Sequence, residues 1–239
     1  MERTAIIFLF ISLLLRLALG YVQKTVWNIK MWQYIIIVPL MTLIGTLGAK
    51  MASWIAYGRF SGTRLYGTVL AVAIFGAVLA IMLCIPYREL YGFSSVGTWL
   101  SIAIMKVPCI IDGCCAGRTL FLNREGNLVL FPSQIVETVI AALFFIWFFY
   151  LSQTKYPHGA MYPLLMVWYG IYRYAADWMR GHPLEQSPFV LWIPAGRFFS
   201  VLIFAVGLLA MYFVLKKMYG NGFSKKVFIC ALIGKISTR

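Results

Sequence analysis

From its first residue the chain alternates long apolar stretches with short charged connectors. A bilayer's hydrocarbon core, about 30 Å thick, takes roughly 20 apolar residues in helical form. Seven runs meet that length, at about 5–22, 32–57, 65–85, 94–112, 133–153, 159–178 and 190–215, and each predicts a membrane-crossing helix. A further apolar run, Val227 to Gly234, is too short to span. The first run looks at first like a signal peptide. Arg16 interrupts it and no small-residue cleavage site follows clearly, so it is read as a retained helix. The connectors hold most of the charge: Lys24 and Lys30, Arg59 to Arg64, Arg88 and Glu89, Arg118 to Glu125, Lys155, and Arg180 to Glu185. None is long enough for a soluble domain, and no internal repeat interrupts the series. The pattern therefore predicts an all-α integral membrane protein of about seven transmembrane helices. It reads as one polytopic domain over 1–239, with a basic tail at 216–239.

Composition agrees and removes the alternatives. Of 239 residues 62% are hydrophobic and 12% charged, and the mean hydropathy is +0.84. Soluble chains carry about 45–50% apolar and about 25% charged residues, and disorder needs the opposite bias. The formal charge of +14 would suggest nucleic acid in a soluble protein. Here the basic residues are spread between apolar runs, which suits anionic lipid head groups and excludes nucleic acid as the simpler partner. With the N-terminus outside, the inside segments hold Lys24, Lys30, Arg88, Lys155 and the basic residues from Lys216 onwards. The outside segments hold Arg3, Arg59, Arg64, Arg118, Arg124, Arg180 and Arg197. That bias predicts a cytoplasmic C-terminus. Positive charge on the outer side is usually avoided, so those arginines suggest chemistry or phosphate binding. The cysteines at 84, 109, 114, 115 and 230 lack metal-ligand spacing and read as small packing residues. No metal or cofactor is expected.

Charge buried in hydrocarbon costs at least about 2.5–3.5 kcal/mol per residue at a helix centre, so each instance needs a reason. Arg16 and Lys50 are expected to snorkel towards an interface. Arg173 and Asp177 stand four apart on one helix face, and Arg180 continues that face at the helix end. The two readings are a self-neutralising ion pair and a cationic pocket in which a carboxylate holds the guanidinium; the planar fork of Arg suits phosphate. Phe131-Pro132-Ser133-Gln134 with Glu137 opens the fifth run, placing Gln134 and Glu137 on one face just inside the membrane. Glu137 can instead be a first-turn residue that complements the helix dipole. Lys106, Asp112 and Arg118 bring charge to the end of the fourth run, where Pro108 is expected to break the helix. Three polar clusters in a chain this poor in charge most simply share one cavity.

Together these segments resemble the prolipoprotein diacylglyceryl transferase family, over about residues 32–215. Pro132-Ser133-Gln134 with Glu137 is similar to its P-[ST]-Q-x-x-E segment. Tyr169-Gly170, Arg173, Asp177 and Arg180 resemble its Y-G-x-x-R-x-x-x-E-x-x-R. Gly196 to Ser200 resembles a G-Q-x-x-S run, with Arg197 at the Gln. Lys106 to Arg118 resembles a diverged G-R-x-G-N-F-x-N-x-E-x-x-G-R signature. Lys106 stands at its first arginine, Cys109 and Asp112 at its asparagines and Cys114 at its glutamate; Gly117 and Arg118 match. The family's H-G-G element falls on Tyr66-Gly67-Thr68, as in paralogues that lack the histidine.

The resemblance implies an enzyme of the bacterial plasma membrane. It would move a diacylglyceryl group from phosphatidylglycerol to the thiol of a lipobox cysteine on an exported prolipoprotein, without a cofactor. Arg173, Arg118 and Lys106 would supply cations, and Asp177 would orient Arg173. Gln134, Glu137, Tyr66, Asp112, Arg180 and Arg197 would line the substrate site. The thiolate is the nucleophile, so a base is required. His182 is the candidate; His158 reads as a surface residue, and Tyr66 is a poor base with a reference pKa near 10. Two other readings stay open. One is a non-catalytic paralogue that binds anionic lipid, and the other is a small transporter.

Overall fold

The computed structural model describes residues 2–23, 25–27, 29–57, 65–113, 117–122, 128–180, 189–190 and 193–235. Its long helices are α1 (Glu2–Val22), α2 (Met31–Tyr57), α3 (Leu65–Met82), α4 (Tyr87–Ile111), α5 (Ser133–Gln153), α6 (His158–Met179) and α7 (Ala195–Tyr219). A short α8 (Lys225–Leu232) follows. The long helices run alternately up and down. One end of the bundle, here the site end, gathers the start of α5 and α7 and the finish of α4 and α6. The other, the tail end, carries α8.

Five helices are long and apolar enough to cross a membrane, and α3 is a shorter apolar one. This is a helical integral membrane protein. Large apolar side chains such as Phe10 (63% exposed), Ile81 (78%) and Phe213 (64%) project outwards, an arrangement that water would penalise and lipid tails accept. α6 carries His158, Arg173 and Asp177 and is less apolar, but it lies enclosed against α4 and α7. Enclosure by protein is what permits charge at that depth.

Trp99 of α4 centres the core. It is fully buried, stacks on Phe144 at 4.5 Å between centroids, and meets the edge of Tyr172 at 5.7 Å. Aromatic pairs in these geometries add stability beyond the area they bury, and here they tie α4, α5 and α6 into one unit. α2 and α3 approach more closely still. A Cβ on Gly67 would strike the carbonyl oxygen of Gly48, and one on Gly48 would strike Ala71. Without hydrophobic drive between helices in lipid, such small-residue contacts carry the association.

Several expectations are corrected. α4 begins at Tyr87, well before residue 94, because Pro86 stands at its N-cap and Glu89 occupies its first turn; both placements favour a helix start. Pro108 does not break α4. The helix runs a further turn to Ile111 and ends where Asp112 donates its N–H to the Pro108 carbonyl at 2.8 Å and Gly113 adopts φ +64°. α7 starts at Ala195 after Pro194 and continues through Lys216 and Lys217, whose charges complement its C-terminal dipole. Arg16 does not snorkel: it is 7% exposed, lies against Gly97 and donates to the Thr42 hydroxyl at 3.1 Å. Lys50 is exposed. His158 is not a free surface residue. Its Nδ1 lies 2.7 Å from Glu89 Oε2 and its ring 4.4 Å from that of Trp27.

Two small antiparallel hairpins at the site end were not expected. They are β1 (Thr119–Leu122) with β2 (Leu128–Leu130), and β3 (Phe189–Val190) with β4 (Ile193–Pro194). Their β-branched and aromatic residues suit a pleated surface, but each strand is too short to show a period.

Gly67→Leu should cost about 1–3 kcal/mol of stability by forcing α2 from α3. Ile81→Val, on the lipid-facing side of α3, should leave stability within about 0.5 kcal/mol. Thermal unfolding of purified protein in detergent micelles checks both.

Candidate functional site

The site is built from the finish of α4, the start of α5 and the finish of α6. Glu137 lies one turn into α5 and is 1% exposed. Arg180 follows the last residue of α6 and reaches back across it. Its Nε donates to Glu137 Oε1 at 2.8 Å and its Nη2 to Oε2 at 2.7 Å. This fork-to-fork arrangement is the strongest geometry open to a guanidinium and a carboxylate. Lys106 of α4 forms an ion pair with the same Oε2, and the Tyr172 hydroxyl donates to it at 3.3 Å. One carboxylate of α5 thus holds a cation from α4, a phenol from α6 and the cation that follows α6.

Arg180 is held there by backbone. Arg118 donates its N–H to the Met179 carbonyl at 3.0 Å; across the same strip Gly117 donates to the Phe131 carbonyl at 3.0 Å and Phe131 to the Arg118 carbonyl at 2.8 Å. The Gly117–Arg118 segment therefore joins the finish of α6 to the approach of α5, and sets the guanidinium above Glu137.

A second pair completes the site. Arg173 Nη2 meets Asp177 Oδ1 at 2.8 Å, with Arg173 5% exposed. Asp177 is fixed from its other side by α7: a Cβ on Gly196 would overlap its Oδ2, so the carboxylate rests against the bare backbone at that helix's N-terminus. A helix N-terminus is where negative charge is most stable. Tyr169, fully buried, lies within electrostatic range of both ion clusters, and Lys106 interacts with Arg173 as well as Arg180. Three cations against two carboxylates leave one positive charge in a dry setting, which is what an anionic group would need.

The remaining residues singled out from the sequence fall around this centre. Arg197 and Arg118 approach the ring of Trp178, at 4.0 and 5.3 Å from its centroid; contact with an aromatic face stabilises a cation. Asp112 caps α4 and accepts from Thr4 Oγ1 of α1 at 3.2 Å. Gln134 lies half-buried in the first turn of α5. Tyr66 is buried at the start of α3, stacked on Phe199 of α7 at 4.5 Å. His182, Cys114 and Cys115 lie outside the described residues, among which no cluster of three metal-ligating side chains occurs. Sequence reasoning missed Tyr172, adjacent to Arg173, and Trp178. No pattern in the chain marks either.

A groove of about 190 Å³ leads from Glu137 and Tyr172 between α5 and α6, with Ile140, Phe144, Trp168 and Ile171 on its walls. A larger hollow lies at the tail end between α3 and α4, and no charged side chain lines it.

Fold and site together define a multi-pass membrane protein with a buried, positively charged centre open to the bilayer. The family model for prolipoprotein diacylglyceryl transferase matches residues 5–213, and the chain belongs to that family. Relatives named phosphatidylglycerol–prolipoprotein diacylglyceryl transferase include one from Campylobacter curvus, 29% identical over 180 residues, covering 68% of this chain and 62% of the relative. One from Aliivibrio fischeri is 26% identical and covers 53% and 52%. One from Acinetobacter baylyi is 24% identical and covers 62% and 60%. The chain thus spans between half and two thirds of the length of these relatives.

Glu137→Gln should leave Lys106 and Arg180 buried without their counter-charge and cost about 3–5 kcal/mol in micelle unfolding. Adding Lys106→Met should recover part of that loss. Gly196→Ala should push Asp177 off Arg173, and it should be epistatic: combined with Asp177→Ala, it adds little to the loss of stability from Asp177→Ala alone.

Proposed function

We propose that the chain transfers a diacylglyceryl group from phosphatidylglycerol to the thiol of a lipobox cysteine on an exported prolipoprotein. The observation that carries this reading is the surplus of buried cations around Glu137 and Asp177 at the head of an apolar groove. The phosphate of an anionic lipid would sit at the cations and its chains in lipid or groove. Transfer forms a bond between sulfur and the glyceryl carbon and breaks that carbon's bond to the phosphate oxygen. Glycerol phosphate leaves with the electron pair, and the thiol proton passes to a base. Arg173, held by Asp177, offers the phosphate two parallel donors and meets the charge that grows on the leaving oxygen. Lys106 and Arg118 add to that field. Glu137, fixed between two cations, acts by holding them in place. His182, two residues after Arg180 in the sequence, is the proposed base. The site end would then face outwards, and the basic tail would lie in the cytoplasm of a bacterial cell, at its plasma membrane.

A second reading is favoured by one observation. Tyr66, at the position of the family's histidine, is buried against Phe199. A chain that kept the lipid site without the chemistry would bind anionic lipid and release no product.

Incubation of the purified protein with labelled phosphatidylglycerol and a lipobox peptide separates the two. Transfer by the wild type, lost at least about 100-fold in Arg173→Ala and in His182→Ala, supports the transferase. Bound phosphatidylglycerol in native mass spectra with no labelled peptide supports the binder, and unchanged transfer in Arg173→Ala sinks the assignment of the site.

A further inference from the structure

The groove between α5 and α6 has Trp168 at its lower end, and Trp168 is tied to α8. From Glu137 to Phe144 the groove descends seven residues of α5, about 10 Å at the helical rise. At that depth it meets Trp168, whose ring lies 5.6 Å from Phe144 and 5.8 Å from Trp147. The other side of Trp168 is tied to the C-terminal element: its indole N–H donates to the Leu232 carbonyl, the last residue of α8, at 3.0 Å. Just beyond, Gly234 lies so close to α5 that a Cβ there would come within 2.9 Å of Leu151 and 3.1 Å of Trp147. Ala231 is fully buried, and its carbonyl accepts from the Tyr156 hydroxyl at 3.0 Å. Burial holds the Tyr156 phenol well above its ordinary pKa, so it remains a donor. α8 therefore turns back from the tail end and fills the lower part of the same cleft whose upper part is open.

We infer that the open part holds one acyl chain of the bound phospholipid, and that α8 with Trp168 sets how far down that chain can reach. The inference rests on the proposed lipid site and names its apolar half. The occupant is specified by the walls. Glu137 and Tyr172 stand at the groove's head, with Lys106 and Arg180 behind them on the Glu137 carboxylate, and its sides are Ile140, Phe144, Trp168 and Ile171. The walls are apolar and suit an alkyl tail, and the anionic head of such a molecule belongs to the proposed lipid site at the neighbouring cations. A helix pair open along its whole length would let a tail of any length pass on towards the other leaflet. A pair plugged by α8 ends the tail at Trp168, so each methylene beyond that point has to leave the groove.

The test uses the full chain in nanodiscs with phosphatidylglycerols of increasing acyl length, each carrying a photoreactive diazirine at the chain terminus, and maps the labelled peptides. Label on Phe144, Trp168 or Leu232 is the expected result, with a maximum at one chain length. Ala175→Phe, which fills the groove, should lower that label about tenfold, the equivalent of roughly two buried methylenes. Trp168→Phe, which releases the Leu232 carbonyl but keeps a ring, should move the maximum to longer chains and spread label into 225–235. Label confined to lipid-facing residues such as Leu143, Ile146 and Leu209 overturns the inference, as does a length profile that Trp168→Phe leaves unchanged. Groove labelling without peptide transfer supports the groove while refuting the transferase. Transfer without groove labelling does the reverse.

Discussion

A carboxylate that is 1% exposed at membrane depth persists as an anion only when its charge is answered on the spot, and Glu137 is answered twice. The Lys106–Glu137–Arg180 arrangement fixes the relative heights of α4, α5 and α6, since each contributes one member, directly or from the residue that follows it. Sliding any helix by a turn would strand a charge in a low-dielectric interior, at a cost of several kcal/mol. The aromatic layer around Trp99 sets how closely the three helices pack. The ion cluster sets their register, with the backbone strip at Gly117 and Phe131 holding Arg180 in place.

The two ion clusters differ in a way that bears on chemistry. Glu137 is saturated: both oxygens are engaged by cations, so it cannot release its partners without a large penalty. Asp177 binds Arg173 through one oxygen and presents the other to the start of α7. Arg173 therefore keeps donors available in a place where its position is fixed. The first cluster is a strut and the second is the pair on which the proposed chemistry draws, although the sequence presents both as arginine–carboxylate pairs.

This distinction also marks what was legible in the sequence. The long helices could be read because a membrane span demands a minimum run of apolar residues, and that demand leaves its trace in five of them, with α3 a shorter apolar run. Boundaries failed where charge lies inside a helix. Arg88 and Glu89 look like a connector, yet Glu89 belongs to the first turn of α4 and pairs with His158, 69 residues away. The pairing of Arg173 with Asp177 was legible, since both lie on one helix a turn apart. That of Arg180 with Glu137 was not. The partners stand 43 residues apart on different helices, and nothing in either segment names the other. Arg180 in fact turns away from the face that its spacing from Arg173 suggests, because α6 ends at Met179 and the chain there bonds to Arg118 as extended backbone.

α6, which carries the Arg173–Asp177 pair, is thus the helix least exposed to lipid. α6 is flanked by α4 and α7, reached by Trp99 and by α8, and carries Tyr169, Tyr172, Arg173 and Asp177 on the faces so covered. An apolar α6 would satisfy the membrane equally well, so its charges are not there for stability alone; ion pairs of this kind roughly break even against apolar packing. The net positive charge that remains after pairing is an imbalance that folding does not require. A buried imbalance of that sign favours an anion beside it, and under the proposed function a phospholipid phosphate would be that anion.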